Sequence, residues 1–195
     1  SSEREVVVFA PQARPPEVPP DFTWIQGDPT KESELDKVRL SHAHSALVVG
    51  GRDVSPSQAD ARSILTVFTI RSYLSQHRFK DERKRPVYVV AEILDAENVD
   101  HARSAGADEV IETTRLGFSL LAHTIDQPGT AALLSRVGVK GVQNLYVGPI
   151  PEAITLPQSF GALATSVKAE TGALVIGIRS GDGHDLLNPA DETEV

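Results

Sequence analysis

The sequence has no cysteine and no methionine, and only 5% of its 195 residues are aromatic. Without cysteine, the chain can form no disulfide, no thiolate nucleophile and no cysteine-ligated zinc or iron–sulfur centre. It also lacks any run approaching ~18 apolar residues, so no transmembrane helix is predicted. Because a chain without methionine has no initiator residue, we interpret it as a piece of a longer protein.

Several motifs for catalysis and phosphate binding are also missing. The sequence contains no GxSxG, HExxH, Walker or EF-hand pattern, and its six histidines are scattered. His42 and His44 lie close together but have no acidic partner at helical spacing, so we interpret them as surface or helix-end residues rather than metal ligands. The GxGxxG loop of dinucleotide-binding folds is absent as well, and a proline-rich loop, 11–20, follows the first predicted strand instead.

The composition is that of an acidic globular protein. Apolar residues make up 40% of the chain and charged residues 24%, which is enough for a sizeable core. The net charge of −8 argues against a nucleic-acid partner, because binding to phosphates requires a basic surface.

The apolar patterns predict an α/β fold with a Rossmann-like parallel sheet. Short β-branched runs alternate with helical patterns, which is typical of a parallel sheet covered by helices. The predicted strands are Glu5–Ala10, Phe22–Gln26, Ser45–Val49, Val87–Leu94 and Glu109–Glu112. The predicted helices are a short one capped by Thr30, a long one from Ser55 or Ser57 through Leu74, then Glu97–Ser104, Arg115–Ile125 and Thr130–Val137.

A change of composition near residue 140 predicts a domain boundary. Residues 1–138 form the Rossmann-like lobe, with a helical crossover at 115–137. Residues 139–195 form a small C-terminal α+β lobe that ends as if incomplete. Its predicted elements are the strand Asn144–Ile150, the helix Ser159–Glu170, the buried strand Ala173–Ile178 and a tight turn at 180–185.

Two predicted helices carry apolar surfaces that indicate a further contact. Apolar residues of Ala61–Leu74 take up more than half of the helix surface, and Leu116–Ile125 is also rich in leucine. Either these helices contact a second domain or subunit, or they are deeply buried within one domain.

Polar residues and glycines collect at the carboxyl ends of the predicted strands, where open parallel sheets bind ligands. Asp28 follows the second strand, Gly50 and Gly51 follow the third, and Glu92 and Asp95 end the fourth. A glycine pair lets the backbone approach a nucleotide, and clustered carboxylates suit Ca²⁺. The alternative is structural, with Asp28 capping a turn and Glu92 pairing with an arginine.

A series of segments in this order resembles the regulator of K⁺ conductance (RCK, Trk/KTN-type) domain of prokaryotic K⁺ channels. In the first lobe they are Gly27-Asp28-Pro29-Thr30, Ala46-Leu47-Val48-Val49, Asp60-Ala61-Arg62, Val90-Ala91-Glu92, Glu97-Asn98 and Ala105-Gly106-Ala107-Asp108-Glu109-Val110-Ile111. Leu145-Tyr146-Val147, the segment 171–178 and Asn188-Pro189 resemble the family's C-terminal lobe. Relative to the family pattern, the first strand and its Gly-rich helix are missing.

The resemblance implies a non-catalytic, ligand-sensing domain that regulates K⁺ conductance. Such domains form homodimers and tetrameric or octameric gating rings under a membrane pore, which belongs to the same or a partner chain. The domain would lie at the cytoplasmic face of the cell membrane, and the piece itself would be soluble. Ligand binding would rearrange the ring and pull on the gate.

The resemblance also implies site residues. Gly27 and Asp28 match the position that faces an adenine, and Gly50 and Gly51 match the loop beside the ribose. Glu92 matches a strand-end carboxylate that binds Ca²⁺ in some members. The candidate ligands are Ca²⁺ and an adenine nucleotide (NAD, ADP or AMP).

The sequence departs from the family at both sites. Pro11 and Gln12 stand where an acid would hold the ribose, and Leu94 stands where some Ca²⁺-gated members have a second carboxylate. Asp95 is the nearest replacement, although its side chain would point to the other face of the strand. Because Asp95 is the nearest replacement for that carboxylate, we predict Glu92 and Asp95 as the metal ligands. The alternative function is an NAD(P)-binding oxidoreductase fragment. The sequence of the second lobe shows no catalytic Tyr–Lys, His–Asp or Cys arrangement, which argues against this alternative.

Overall fold

The computed structural model describes residues 5–76, 86–138, 145–155 and 159–195. The chain divides into two compact units, Ser1–Ser135 and Arg136–Val195. Within the described ranges, no helix is long and apolar enough to cross a membrane.

Five short parallel strands form the framework of the first unit, as the sequence predicts. They are β1 (Val7–Ala10), β2 (Thr23–Gln26), β3 (Ser45–Val48), β4 (Tyr88–Ile93) and β5 (Glu109–Glu112). The hydrogen-bonded ladder falls into two pieces, β1–β2 and β3–β4–β5, rather than one sheet. In the doubly wound order 3-2-1-4-5-6, where strands are numbered along the chain, β1 to β5 match strands two, three, four, five and six. No described strand takes the place of strand one.

Helices and short turns connect these strands or follow the last of them. They are α1 (Glu32–Leu35), the 3₁₀ turns Asp36–Val38 and Leu40–His42, α2 (Pro56–Gln76), the 3₁₀ turn Ala96–Asn98, α3 (Val99–Ser104), α4 (Thr113–Asp126) and α5 (Thr130–Gly138). Helix α1 is a single turn. Its N-cap is Lys31 rather than the predicted Thr30, because the backbone N–H and hydroxyl of Thr30 are both bound to Asp28.

Helix α2 covers one face of the three-stranded sheet. It starts where the sequence indicates: the Ser55 hydroxyl accepts from the N–H of Gln58, the Gln58 side chain accepts from the N–H of Ser55, and Pro56 takes the first helical position. Side chains from α2, β3, β4 and the α1 region pack into one core, whose fully or nearly buried members are Leu35, Leu40, Val48, Val67, Ile70, Tyr73, Val87, Val89 and Ala91.

A single arginine of α2 fastens the turn between α3 and β5. The Arg71 guanidinium donates to the carbonyls of Gly106 (2.6 Å) and Val87 (3.0 Å) and to the Asp108 carboxylate (2.6 Å). Asp108 also accepts from the N–H of Val89 at 2.7 Å. The AGADEVI segment, which carries much of the family resemblance, therefore has a structural role in joining the helix to the sheet.

The second unit is small and its strands are short. It contains α6 (Phe160–Thr171) and the antiparallel pair β6 (Gly177–Arg179) and β7 (Asp185–Leu187). Helix α6 is capped by Ser159 and ends at Gly172, which has the left-handed φ of 75° that favours glycine there.

Two predictions for the second unit are wrong. Residues 145–150 form no strand, since none of the described segments pairs with them, and the prediction for residue 144 lies outside the described residues. The predicted buried strand Ala173–Ile178 is present only from Gly177 onwards, and Leu174 is 76% exposed. A β-branched or leucine-rich run forms a strand only where a partner strand is available. Here β7 pairs with just three residues, Gly177 to Arg179.

We expect Gly106→Ala to lower the free energy of unfolding by about 1–3 kcal/mol. Gly106 has φ of +105°, and an added Cβ would lie 2.7 Å from Cγ of Arg71. Urea unfolding of both proteins measures the difference.

The matched control is Gly117→Ala inside α4, where an added Cβ meets nothing within 4 Å. It should raise the free energy of unfolding by up to about 1 kcal/mol, since alanine is the better helix former. Equal effects of the two substitutions would contradict the structural role assigned to the 106 turn.

Candidate functional site

Glu92, at the carboxyl end of β4, is the centre of the candidate site. Its side chain is 7% exposed, and three groups from two segments of the chain bind its carboxylate. Oε1 accepts from the guanidinium of Arg52 (2.6 Å) and the hydroxyl of Thr113 (2.8 Å), and Oε2 accepts from the N–H of Gly50 (3.2 Å). Glu92 therefore joins the loop after β3 to the first residue of α4.

These contacts keep the Glu92 carboxylate charged despite its burial. Burial alone would raise the pKa of Glu92, but the hydrogen bonds from Arg52 and Thr113, the charge of Arg52 and the N–H of Gly50 together hold it below its usual value. The ion pair that the sequence offered as the structural alternative for Glu92 is thus present.

A second buried carboxylate shapes the loop that follows β4. Asp60 of α2 is 1% exposed and accepts from the N–H groups of Leu94 (2.8 Å) and Asp95 (3.0 Å) and from the side-chain amide of Asn98 (2.9 Å). Three donors on one carboxylate fix the backbone where β4 ends.

Asp95 has a different role from Glu92. Its carboxylate accepts from the N–H of Glu97 at 3.1 Å and caps the 3₁₀ turn that leads into α3. Across the described parts of the chain, no three His, Cys, Asp or Glu side chains are grouped so that they could hold a metal ion. A metal site at Glu92 and Asp95 stays a prediction.

Gly27 and Asp28 form a closely packed turn after β2. The Asp28 carboxylate accepts from the N–H (3.1 Å) and hydroxyl (2.7 Å) of Thr30, and these hydrogen bonds lower the pKa of Asp28. A Cβ on Gly27 would lie 2.4 Å from the ring of Phe9 and 2.5 Å from the carboxylate of Glu34. The turn cap that the sequence offered as the alternative for Asp28 is present, and nucleotide binding here stays a prediction.

Gly50 and Gly51 lie between β3 and α2. A Cβ on Gly50 would come within 3.1 Å of Cβ of Ala59, so glycine allows the loop to lie close to the start of α2. The N–H of Gly50 is the group that binds Glu92. The structure thus brings Gly50 and Glu92 together and gives Asp28 and Asp95 partners of their own.

Three residues of the site were not predicted from the sequence: Arg52, Asp60 and Thr113. A signal existed for two of them. Arg52 directly follows the glycine pair, and Asp60 is an acid in a long helix predicted to pack on the sheet, where burial requires compensation. Thr113 carries no such signal, since nothing in the sequence distinguishes it from the neighbouring Thr114.

The parallel strands, the connecting helices and the polar groups at the carboxyl edge of β4 define a Rossmann-like α/β domain. The family described as the calcium-activated potassium channel slowpoke-like RCK domain matches residues 12–109, just over half of the chain. The chain belongs to this RCK family, as its sequence motifs predict.

Individual proteins similar to this chain include a potassium channel and two solved structures. The calcium-gated potassium channel TvoK of Thermoplasma volcanium is 28% identical over 109 residues, which are 54% of this chain and 28% of TvoK. The human SLO3 gating ring has the same fold, with a TM-score of 0.64 and 18% identity over 98% of this chain and 38% of that one. The GsuK RCK domain aligns over 96% of this chain and 35% of its own at 23% identity, with a TM-score of 0.48. The chain thus spans well under half the length of these relatives.

We expect Glu92→Gln to lower the free energy of unfolding by about 1–2 kcal/mol near neutral pH. The reason is the loss of the charge that binds Arg52. Because the folded pKa of Glu92 is depressed, its contribution is fully present above the ordinary value of 4.5 and is lost as pH falls through the folded pKa. Urea unfolding at several pH values should therefore show the two proteins converging in acid.

Glu97→Gln is the control, since Glu97 is exposed on the following turn. It should change the free energy of unfolding by less than about 0.5 kcal/mol. A Glu92→Gln effect that is independent of pH would show that the charge of Glu92 does not stabilise the fold.

Proposed function

We propose that this chain is a ligand-sensing gating domain that regulates a K⁺ channel. It assembles with copies of itself in a ring at the cytoplasmic face of the membrane, and a pore domain on the same or a partner chain is the element it acts on. A ligand that binds one ring conformation better than the other shifts the population toward that conformation. The domain does no chemistry on the ligand.

The observation that carries this proposal is an apolar stripe on α4. Phe118, Leu121 and Ile125 follow helical spacing and are 68%, 63% and 82% exposed. We name these three residues the α4 stripe. Soluble monomers rarely expose a contiguous apolar surface of this kind, which marks a contact with another protein. Leu133 of α5 is also 62% exposed.

A second copy of this chain is the partner that fits the stripe best. Family membership supports it, because the SLO3 relative with this fold is a gating ring. The stripe is also short of charged side chains, as the central parts of homodimer interfaces are. The sequence predicts that the helix at 115–125 contacts a partner subunit, and we interpret it as an interface helix.

The ligand is proposed from the residues at the carboxyl edge. The name of TvoK describes that relative as calcium-gated, which supports Ca²⁺ as one candidate. Glu92 and Asp95 would be its ligands, and Ca²⁺ would have to take the place of the Arg52 guanidinium. An adenine nucleotide such as NAD, ADP or AMP is the other candidate, at Gly27, Asp28, Gly50 and Gly51.

We expect Leu121→Glu to weaken self-association strongly, because it places a charge in the α4 stripe. Light scattering over a range of protein concentrations should show the parent chain as a dimer or larger species and the variant as a monomer. The matched control is Ser119→Glu, which adds the same charge to the same helix on an exposed residue outside the stripe. A parent chain that stays monomeric at high concentration would contradict the proposal.

We expect one of the candidate ligands to raise the melting temperature, because binding to the native state alone adds RT ln(1 + [L]/Kd), about 2.7 kcal/mol at a hundredfold excess over Kd. The screen compares Ca²⁺, Mg²⁺, NAD, NADH, ATP, ADP and AMP by thermal shift.

Variants then assign the site. Glu92→Gln and Asp95→Asn should each abolish a Ca²⁺ shift, Asp28→Asn should reduce a nucleotide shift, and Asp100→Asn on the exposed face of α3 should change neither. If none of the compounds shifts the melting temperature, the chain is not a sensor for these ligands.

A further inference from the structure

Glu92 binds two parts of the molecule through one oxygen atom. Oε1 accepts both from Arg52, in the loop that follows the glycine pair, and from Thr113, the first residue of α4. Neither donor can move far without changing the geometry available to the other, because both converge on the same acceptor.

The two donors differ in how easily they can be withdrawn. The Arg52 side chain is 65% exposed, whereas that of Glu92 is 7% exposed. A ligand in the solvent can therefore reach the guanidinium, but the carboxylate stays within the protein. Once Arg52 leaves, the remaining donors to the buried charge are the Thr113 hydroxyl and the Gly50 N–H, which are weaker than a guanidinium.

We propose that Arg52, Glu92 and Thr113 form a relay that transmits ligand binding at the loop 50–53 to the start of α4. This proposal rests on the proposed ligand-sensing function and names its route. The ligand class that operates the relay is a phosphate-bearing nucleotide, since guanidinium groups bind phosphate through paired hydrogen bonds. Phosphate draws Arg52 away from Glu92, and the carboxylate, left with two weaker donors, then holds Thr113 less firmly.

The position of α4 gives the relay a consequence. The helix begins at Thr113 and carries the α4 stripe from Phe118 to Ile125. A change in how its first turn is held therefore reaches the surface proposed to contact the next subunit. By linkage, association through the stripe must change the affinity of the loop for its ligand by the same factor.

Amide hydrogen exchange of the chain without ligand tests the relay directly. Arg52→Gln should speed exchange in the first turns of α4, residues 115–119, by about tenfold, although the ion pair of Arg52 is with Glu92 and not with α4. Arg52→Lys should recover part of the protection, because it restores the charge but not the planar fork. Conversely, Thr113→Val should speed exchange at the N–H of Gly50.

Arg103→Gln is the control, as it breaks an exposed ion pair with Asp100 on α3. Exchange at the core strand residues Val89 and Ala91 separates a local effect from general destabilisation, since general destabilisation would speed every segment together. If Arg52→Gln changes exchange only at 50–53, or changes α4 no more than the core, the relay is wrong.

Hydrogen exchange measured with added ligand distinguishes the relay from the proposed sensor function. Adding ADP to the parent chain should speed exchange at 115–119, and adding Ca²⁺ alone should not. A nucleotide that raises the melting temperature but leaves 115–119 unchanged overturns the relay and retains the sensor. If Arg52→Gln speeds exchange in α4 but no nucleotide raises the melting temperature, the relay is retained and a nucleotide is excluded as its ligand.

Discussion

A buried negative charge at the end of β4 constrains the whole carboxyl edge of this domain. Glu92 is nearly inaccessible to solvent, so its charge must be compensated by protein groups. The loop after β3 supplies a guanidinium and a backbone N–H, and α4 supplies a hydroxyl. The positions of these two segments therefore depend on a single carboxylate, and the strand that carries it is the central one of its sheet.

Two other charged side chains of the first unit also hold a loop through several hydrogen bonds. Asp60 holds the loop after β4 through three donors, and Arg71 holds the turn before β5 through two carbonyls and a carboxylate. In these two cases helix α2 provides a charged group that binds backbone groups beside a strand, after β4 for Asp60 and before β4 and β5 for Arg71. The apolar core fixes α2 on the sheet, and the contacts of Glu92 and Asp60 fix loops at the carboxyl edge, where such folds bind ligands.

The strands and the long helix were predictable because their signals are local. Residues such as Val89 and Ala91 form a buried run, and Ser55 and Pro56 mark a helix start. The site was only partly predictable. Glu92 stands at a position the topology singles out, but its partners Arg52 and Thr113 depend on side-chain geometry across segments far apart in sequence. The prediction for Ala173–Ile178 failed for a related reason, because the extent of a strand depends on its neighbour, and β7 pairs only from Gly177 onwards.

The spacing of the charged contacts bears on how the domain folds. The pairs Asp60–Leu94, Arg71–Asp108 and Arg52–Glu92 are separated by 34, 37 and 40 residues. Asp60–Leu94 and Arg52–Glu92 join α2 and its preceding loop to the end of β4, and Arg71–Asp108 joins α2 to the turn before β5. Non-local contacts of this kind slow folding, because chain entropy is lost before they are gained. Local elements such as α2 are therefore expected to form before these charged contacts.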